Sequence, residues 1–408
     1  MTRQASPPSR RLSHGLDPRM VSMLLALAAI WIALHILTDG VFLTPRNLYN
    51  LSIQASAIAV IACGMVFVIV ARQIDLSVGS LLAFTGVLTA AAQVRWMETH
   101  PTTGWILSIL VGFAAGALVG VFQGWWIAYR GIPALVVTLA GFLMYRGAAF
   151  LVAEGQTIAP LDPTYDRLGG GPEGSIGAPA SWAAAGAGCA WLVWYVWNTR
   201  RQRARYSAES APAWLDVAKV VLGIAAIVAF VAMMVAYPNR TRLDADGDPL
   251  GTGIGIPVLL LIGVVVVLSF LAHRTRFGRH VFAYGGNPES VVLAGINTRF
   301  LVVKIFIMMG ILCTIAAVIT TARLDAGTNS LGQLAELYAI SAAVIGGTSL
   351  AGGVGSVPGA VVGALIIQSL DNGMVLLDIA VAKRQIFIGL VLIAAVWFDV
   401  VYTRRQAR

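Results

Sequence analysis

Apolar runs of about 20 residues, the length that crosses a hydrocarbon core, follow one another along this sequence. They begin near Met20, Tyr49, Leu76, Trp105, Pro133, Ser181, Asp216, Ile256, Leu301, Glu336, Gly355 and Arg384. In lipid a peptide group must find its hydrogen bond inside the protein, which leaves helices and closed barrels as the only spanning structures. Runs of this length predict helices, and the fold class that follows is all-α: a polytopic transmembrane helix bundle of about twelve spans. With 58% hydrophobic and 12% charged residues, against roughly 25% charged in soluble domains, a soluble reading is excluded.

The net charge of +9 is a topology signal and does not point to nucleic acid. Arg3, Arg10, Arg11 and Arg19 precede the first run; Arg200, Arg201, Arg203 and Arg205 share one loop; Arg274, Arg276 and Arg279 share another; Arg404, Arg405 and Arg408 close the chain. Positively charged loops stay on the cytoplasmic side, and a twelve-span chain that starts inside puts all four clusters there. Residues 1–19 and 403–408 are then cytoplasmic tails around a transmembrane domain, 20–402. Asp244, Asp246 and Asp248, like Glu98 and His100, fall outside. The first run follows a basic tail and reads as an uncleaved anchor. Cys63, Cys189 and Cys313 are isolated and lack metal-ligand spacing.

Two interruptions carry polar groups into apolar surroundings. From Tyr338 to Leu376 the sequence is too apolar for a solvated loop and too rich in glycine and proline for one helix. Gly346, Gly347, Gly352, Gly353, Gly355 and Pro358 predict a broken or tightly packed pair of half-helices, with Thr348, Ser349 and Ser356 in the break. Small residues also serve close helix packing with no further role. The earlier interruption is Ala71-Arg72-Gln73-Ile74-Asp75. Ionisable residues near membrane depth are costly and usually face a partner or a cavity. Arg72 and Asp75 therefore read either as pathway residues or as an interfacial turn, with Asp75 capping a helix that starts at Leu76. Val78-Gly79-Ser80 recurs as Val354-Gly355-Ser356, the glycine-interrupted echo expected of two related halves. Arg146 lies inside an apolar run and calls for a partner other than Glu154.

Residues 273–299 form a long basic connection with an amphipathic stretch from Glu289 to Ile296. Asn287-Pro288-Glu289 is a helix start, since asparagine caps, proline suits the first turn and the acid complements the dipole. A short cytoplasmic helix for a protein partner is the expectation. Phosphate-cradling G-x-x-x-x-G-K-[ST] and zinc-binding H-E-x-x-H motifs do not occur, and Gly347-Thr348-Ser349-Leu350-Ala351 departs from a nucleophile elbow. An enzyme is not expected. Transport remains, powered either by an ion gradient through Asp75, Asp325, Glu336 or Asp371, or by a separate ATPase. Sparse intramembrane charge favours the ATPase.

Four segments also carry a family resemblance: 64–86 (GMVFVIVARQIDLSVGSLLAFTG), 132–158 (IPALVVTLAGFLMYRGAAFLVAEGQTI), 277–297 (FGRHVFAYGGNPESVVLAGIN) and 342–366 (AAVIGGTSLAGGVGSVPGAVVGALI). They resemble the membrane permease subunits of bacterial ABC importers for monosaccharides, the ribose, galactose and xylose group. Residues 124–130 and 369–374, with an inserted loop and span pair over 165–253, are most similar to the xylose-transporting members. The resemblance implies a type II-like importer permease with two related halves. It implies a homodimer in the bacterial inner membrane, a cytoplasmic ATPase that binds ATP and Mg, and a periplasmic sugar-binding protein; no cofactor and no metal would sit in this chain. It assigns ATPase coupling to Gly286, Asn287, Glu289, Ala294 and Gly295. The substrate pathway falls to Asp75, Ser77, Gly79, Ser80, Thr348 and Ser349, with Asn372. The expected function is ATP-driven import of a monosaccharide, a pentose such as xylose. An ion-coupled secondary sugar transporter and a non-transporting membrane scaffold are the rival classes.

Overall fold

A computed structural model describes residues 18–96, 103–205, 213–243 and 249–406. The N-terminal tail before Pro18, the loop residues Glu98, His100, Asp244, Asp246 and Asp248, and the last two residues lie outside the described residues. Fifteen α-helices follow in order among the described residues. They are α1 Pro18–Leu37, α2 Pro45–Val70, α3 Val78–Ala91, α4 Gly104–Arg130, α5 Ala134–Ala153, α6 Pro163–Asp166, α7 Gly177–Arg205 and α8 Ala213–Val235. Then come α9 Ile256–Arg274, α10 Arg276–Gly286, α11 Pro288–Leu293, α12 Thr298–Leu324, α13 Ala335–Ile345, α14 Val357–Leu376 and α15 Val381–Gln406. A π-turn, Ala92–Trp96, extends α3.

Each of the twelve expected apolar runs has a helix, and nine helices among the described residues are long and apolar enough to cross a membrane. α13 is different. Its 11 residues reach only about 16 Å at 1.5 Å per residue, too short to cross alone. Among the described residues the strands are a small antiparallel pair, Pro238–Leu243 with Pro249–Gly251, between α8 and α9.

The core surrounds α2, whose residues from Ala59 to Val70 are almost wholly buried. α2 and α12 lie antiparallel. Gly64 meets Met309 and Leu312 midway, while Ile53 and Arg323 pack on the adjacent glycines Gly170 and Gly169. Each of these long helices leads into a non-helical stretch, 71–77 or 325–334, and then into a short helix, α3 or α13. α4 packs on α12 as α14 packs on α2, and α5 packs on α3 as α15 packs on α13. α2–α5 and α12–α15 are thus inverted repeats, and they touch where the backbones of Gly79 and Gly332 meet.

The counterpart of the first break is therefore 325–334. The triplet echo at Gly355 marks a similar helix start after an interruption and does not pair the halves. The break at 346–356 is nevertheless real, separating α13 from α14 as the glycines and Pro358 predict. α4 and α12 approach closely because Gly112, Gly116, Gly120 and Gly124 stand against Thr314, Gly310, Ile307 and Val303. α7 and α8 pair with each other at the periphery, which leaves the central repeats intact around the insertion.

Candidate functional site

Arg72 turns the chain out of α2 with φ +60°, and the backbone then carries Asp75 and Ser77 into full burial. Asp75 Oδ1 accepts hydrogen bonds from the Ser77 backbone N–H at 2.8 Å and from Ser77 Oγ at 2.7 Å. The expected cap is displaced. The helix opens at Val78 with Ser77 in the capping position and no side-chain cap bond, so Asp75 fastens the turn just before it. Gln123 Nε2 donates to Ser77 Oγ at 2.7 Å, and Thr138 Oγ1 donates to the Ile74 carbonyl at 3.2 Å. α4 and α5 are thereby tied to the break. Gly141 permits this convergence, since a Cβ there would run into Gln123, Tyr145 and Ser77.

The second repeat closes on the same point. A Cβ at Gly79 would meet the carboxylate of Glu336 and the Gly332 carbonyl. Arg146 Nη1 donates to the carbonyls of Asn329 at 2.6 Å and Leu331 at 2.7 Å. Its partners are therefore carbonyls of the opposite break, while Glu154 pairs with Arg95 at 2.9 Å. Asp75 Oδ2, Ser80 Oγ, Tyr145 OH and Glu336 Oε2 are buried and make no hydrogen bond within the described residues. A buried polar atom left unpaired costs roughly 1–3 kcal/mol. Hydroxyl and carboxyl groups thus keep unmet hydrogen-bonding capacity in the interior of the bundle. Among the described residues, no cluster of three or more His, Cys, Asp or Glu side chains could hold a metal.

The other predicted pathway residues lie elsewhere. Ser349 accepts from the Ala351 N–H at 3.3 Å and belongs, with buried Thr348, to the break at 346–356. Asn372 is near the end of α14, where its Oδ1 accepts from Asn47 Nδ2 at 3.0 Å. It does not join Asp75. Gln123, Tyr145, Thr138 and Gly141 were not singled out by sequence, although a lone amide such as Gln123 in an apolar run is the relevant signal.

On the side of the first break lies the connection after α9. Thr275 caps α10, accepting from the Gly278 N–H at 3.2 Å. Asn287 caps α11, accepting from the Ser290 N–H at 3.1 Å, as its sequence predicts. Gly286, Glu289, Ala294 and Gly295 are exposed, and Leu293 is 87% exposed. Gly285 is buried with its backbone pressed on Val70 and Gly353.

At the opposite end of α2 a cavity of about 400 Å³ is lined by Asn50, Asp166, Arg323 and Asp325. Burial first, and then the neighbouring Asp325 and Asp162 carboxyls, push Asp166 up to about 6. Asp325 Oδ1 accepts from the Leu161 N–H at 2.7 Å.

Residues 47–396 match the family described as branched-chain amino acid transport system / permease component. The chain belongs to this family, and with its stacked apolar helices it is a multi-pass membrane permease. Among its relatives is the xylose transport system permease protein XylH of Haemophilus influenzae, 41% identical over 377 residues, covering 92% of this chain and 95% of that one. XylH of Escherichia coli K12 is 37% identical over 393 residues, covering 96% and 94%. The L-arabinose ABC transporter permease protein AraH of Azospirillum brasilense is 30% identical over 372 residues, covering 91% and 85%. No solved structure matches the chain.

Proposed function

We propose that this chain is the permease subunit of an ATP-driven ABC importer that moves a pentose, xylose in the first instance, across the bacterial inner membrane. The observation that carries the reading is a similarity to xylose permeases that extends over more than nine-tenths of both chains, 92% and 95% for one of them.

In this reading ATP and Mg bind to a separate ATPase docked on the exposed α11 face, at Gly286, Asn287, Glu289, Ala294 and Gly295. A second copy of the chain completes the pathway, and a periplasmic protein delivers the sugar. Both termini face the cytoplasm, where the basic loops belong. Asp75, Ser77, Gly79, Ser80, Thr348 and Ser349 act at the breaks that rearrange during transport, with Asn372 at the far end of α14. Recognition rests mainly with the binding protein, which fits a core offering unpaired hydroxyl and carboxyl groups but no tight cage.

The test is labelled xylose uptake in a host without its own xylose transporters, with and without the ATPase and binding protein expressed alongside. The reading predicts uptake only with all three components. Full uptake by the permease alone, abolished when the ion gradient is dissipated, would replace it with ion-coupled transport. A chain with no solute-dependent activity under any of these conditions would be a scaffold.

A further inference from the structure

We propose that Arg72 is a positioning residue that carries displacement of the α10–α11 turn into both interrupted regions of the bundle at once. The inference rests on ATPase docking at 273–299. Arg72 Nε donates to the Gly285 carbonyl at 2.7 Å, and Nη2 donates to the Gly286 carbonyl at 2.9 Å. These carbonyls end α10, and Arg72 itself follows the end of α2. Helix C-termini leave carbonyls without intrahelical partners and carry partial negative charge. A guanidinium placed between two such ends is held by both its hydrogen bonds and the local field. Its planar fork fixes the two carbonyls relative to one another, as a point-charge ammonium does not.

The third strand of the junction comes from the break between α13 and α14. The Gly353 N–H donates to the Val70 carbonyl at 2.9 Å. Gly352, at φ +88°, lies against the Arg72 side chain, and a Cβ at Gly285 would overlap the Val70 carbonyl and the Gly353 nitrogen. Backbone therefore meets backbone at Gly285 and Gly353, with the Arg72 stem packed on Gly352.

Contacts lead outward from this junction into each repeat. Beyond Arg72, the Ile74 carbonyl is bonded to Thr138 on α5, and Ser77 to Gln123 on α4. Beyond Gly353, Gly355 packs on Val66 and Val70, and Gly346 packs on Gly359 between α13 and α14. A push on the α10–α11 turn reaches α4 and α5 through Arg72, and reaches α13 and α14 through Gly353. The Arg72 head group is thus engaged by the two carbonyls that end α10, while the residue itself stays exposed.

The experiment uses the complete complex in liposomes, with the ATPase and binding protein, and measures xylose imported per ATP hydrolysed. In R72A the ATPase should remain bound in equal amount and hydrolyse ATP. Xylose imported per ATP should fall at least about tenfold, a lower bound set by either one of the two hydrogen bonds lost from the charged group. R72K should recover part of that loss. An unchanged ratio in R72A overturns the proposal while leaving the importer intact. Absence of the ATPase from the wild-type complex would overturn the docking reading and the inference with it. Should R72A fail to assemble, spin labels at Ile74 and Ala283 decide the matter in a chain that keeps Arg72. A separation constant to within about 2 Å, the size of small interface shifts, between nucleotide-free and ATP-trapped states supports a rigid junction; a larger change overturns it.

Discussion

Replacing Asp75 with alanine separates a structural fastening from a charge requirement. In the native chain Asp75 Oδ1 accepts two hydrogen bonds from Ser77, one from its backbone and one from its hydroxyl. Ser77 and Asp75 are both 0% exposed, so water does not replace the lost acceptor. The backbone donor loses its partner outright, at roughly 1–3 kcal/mol. The hydroxyl can rotate, and a membrane side-chain hydrogen bond averages only about 0.6 kcal/mol. Asp75→Ala should therefore cost about 2–4 kcal/mol. Asp75→Asn keeps a carbonyl oxygen in the place of Oδ1, provided the amide takes that orientation, and should cost less than about 1 kcal/mol. Equilibrium unfolding in mild detergent, followed by tryptophan fluorescence, reads the difference. If Asp75→Ala were as stable as Asp75→Asn, the fastening role would be refuted. If Asp75→Asn kept its stability and both variants lost uptake, the carboxylate would be needed for transport itself.

Further outcomes follow from other contacts. Arg146→Ala leaves the Asn329 and Leu331 carbonyls without their donor and should destabilise the purified chain by about 2–4 kcal/mol, with Arg146→Lys intermediate, measured by the same unfolding assay. Gly120→Val drives a side chain into the Phe306 carbonyl and the Ile307 backbone; overpacking of this kind costs about 1–3 kcal/mol or more, and lower yield of monodisperse protein from membranes should report it. Asn287→Ala removes the α11 cap, costing about 1 kcal/mol, and should weaken retention of the ATPase during purification.

Because Asp166 is raised to about 6 by burial and by Asp325, its folded form holds a proton more tightly than its unfolded form does. That contribution is present below about pH 4 and is lost as pH rises through about 6. Thermal midpoints between pH 4 and pH 7 should carry this component, and Asp166→Asn should remove it.

Much of this arrangement is legible from sequence because lipid imposes strict rules on backbone and charge. Run length places the helices, and Asn287-Pro288 places the start of α11. The glycine-rich stretch after Tyr338 marks a break because glycines and Pro358 cannot sustain one apolar helix there. Which break belongs to which repeat was not legible. The inverted relation depends on α2 and α12 lying antiparallel and on contact between Gly79 and Gly332, which are distant in sequence. The role of Asp75 was half legible: a buried carboxylate beside a helix start was visible, but the one-residue shift from cap to turn needed the backbone. Gln123 and Arg146 find their partners in the two interrupted stretches, Ser77 for one and the 325–334 carbonyls for the other, so no local pattern named those partners.

The central claim is tested most directly by purifying the chain with its ATPase and binding protein, sealing them in liposomes, and measuring entry of labelled xylose with and without ATP on the ATPase side. The account predicts uptake that requires ATP and the binding protein and persists when ion gradients are collapsed. Uptake without the ATPase, or loss of uptake on collapsing an ion gradient while ATP is maintained, would contradict it.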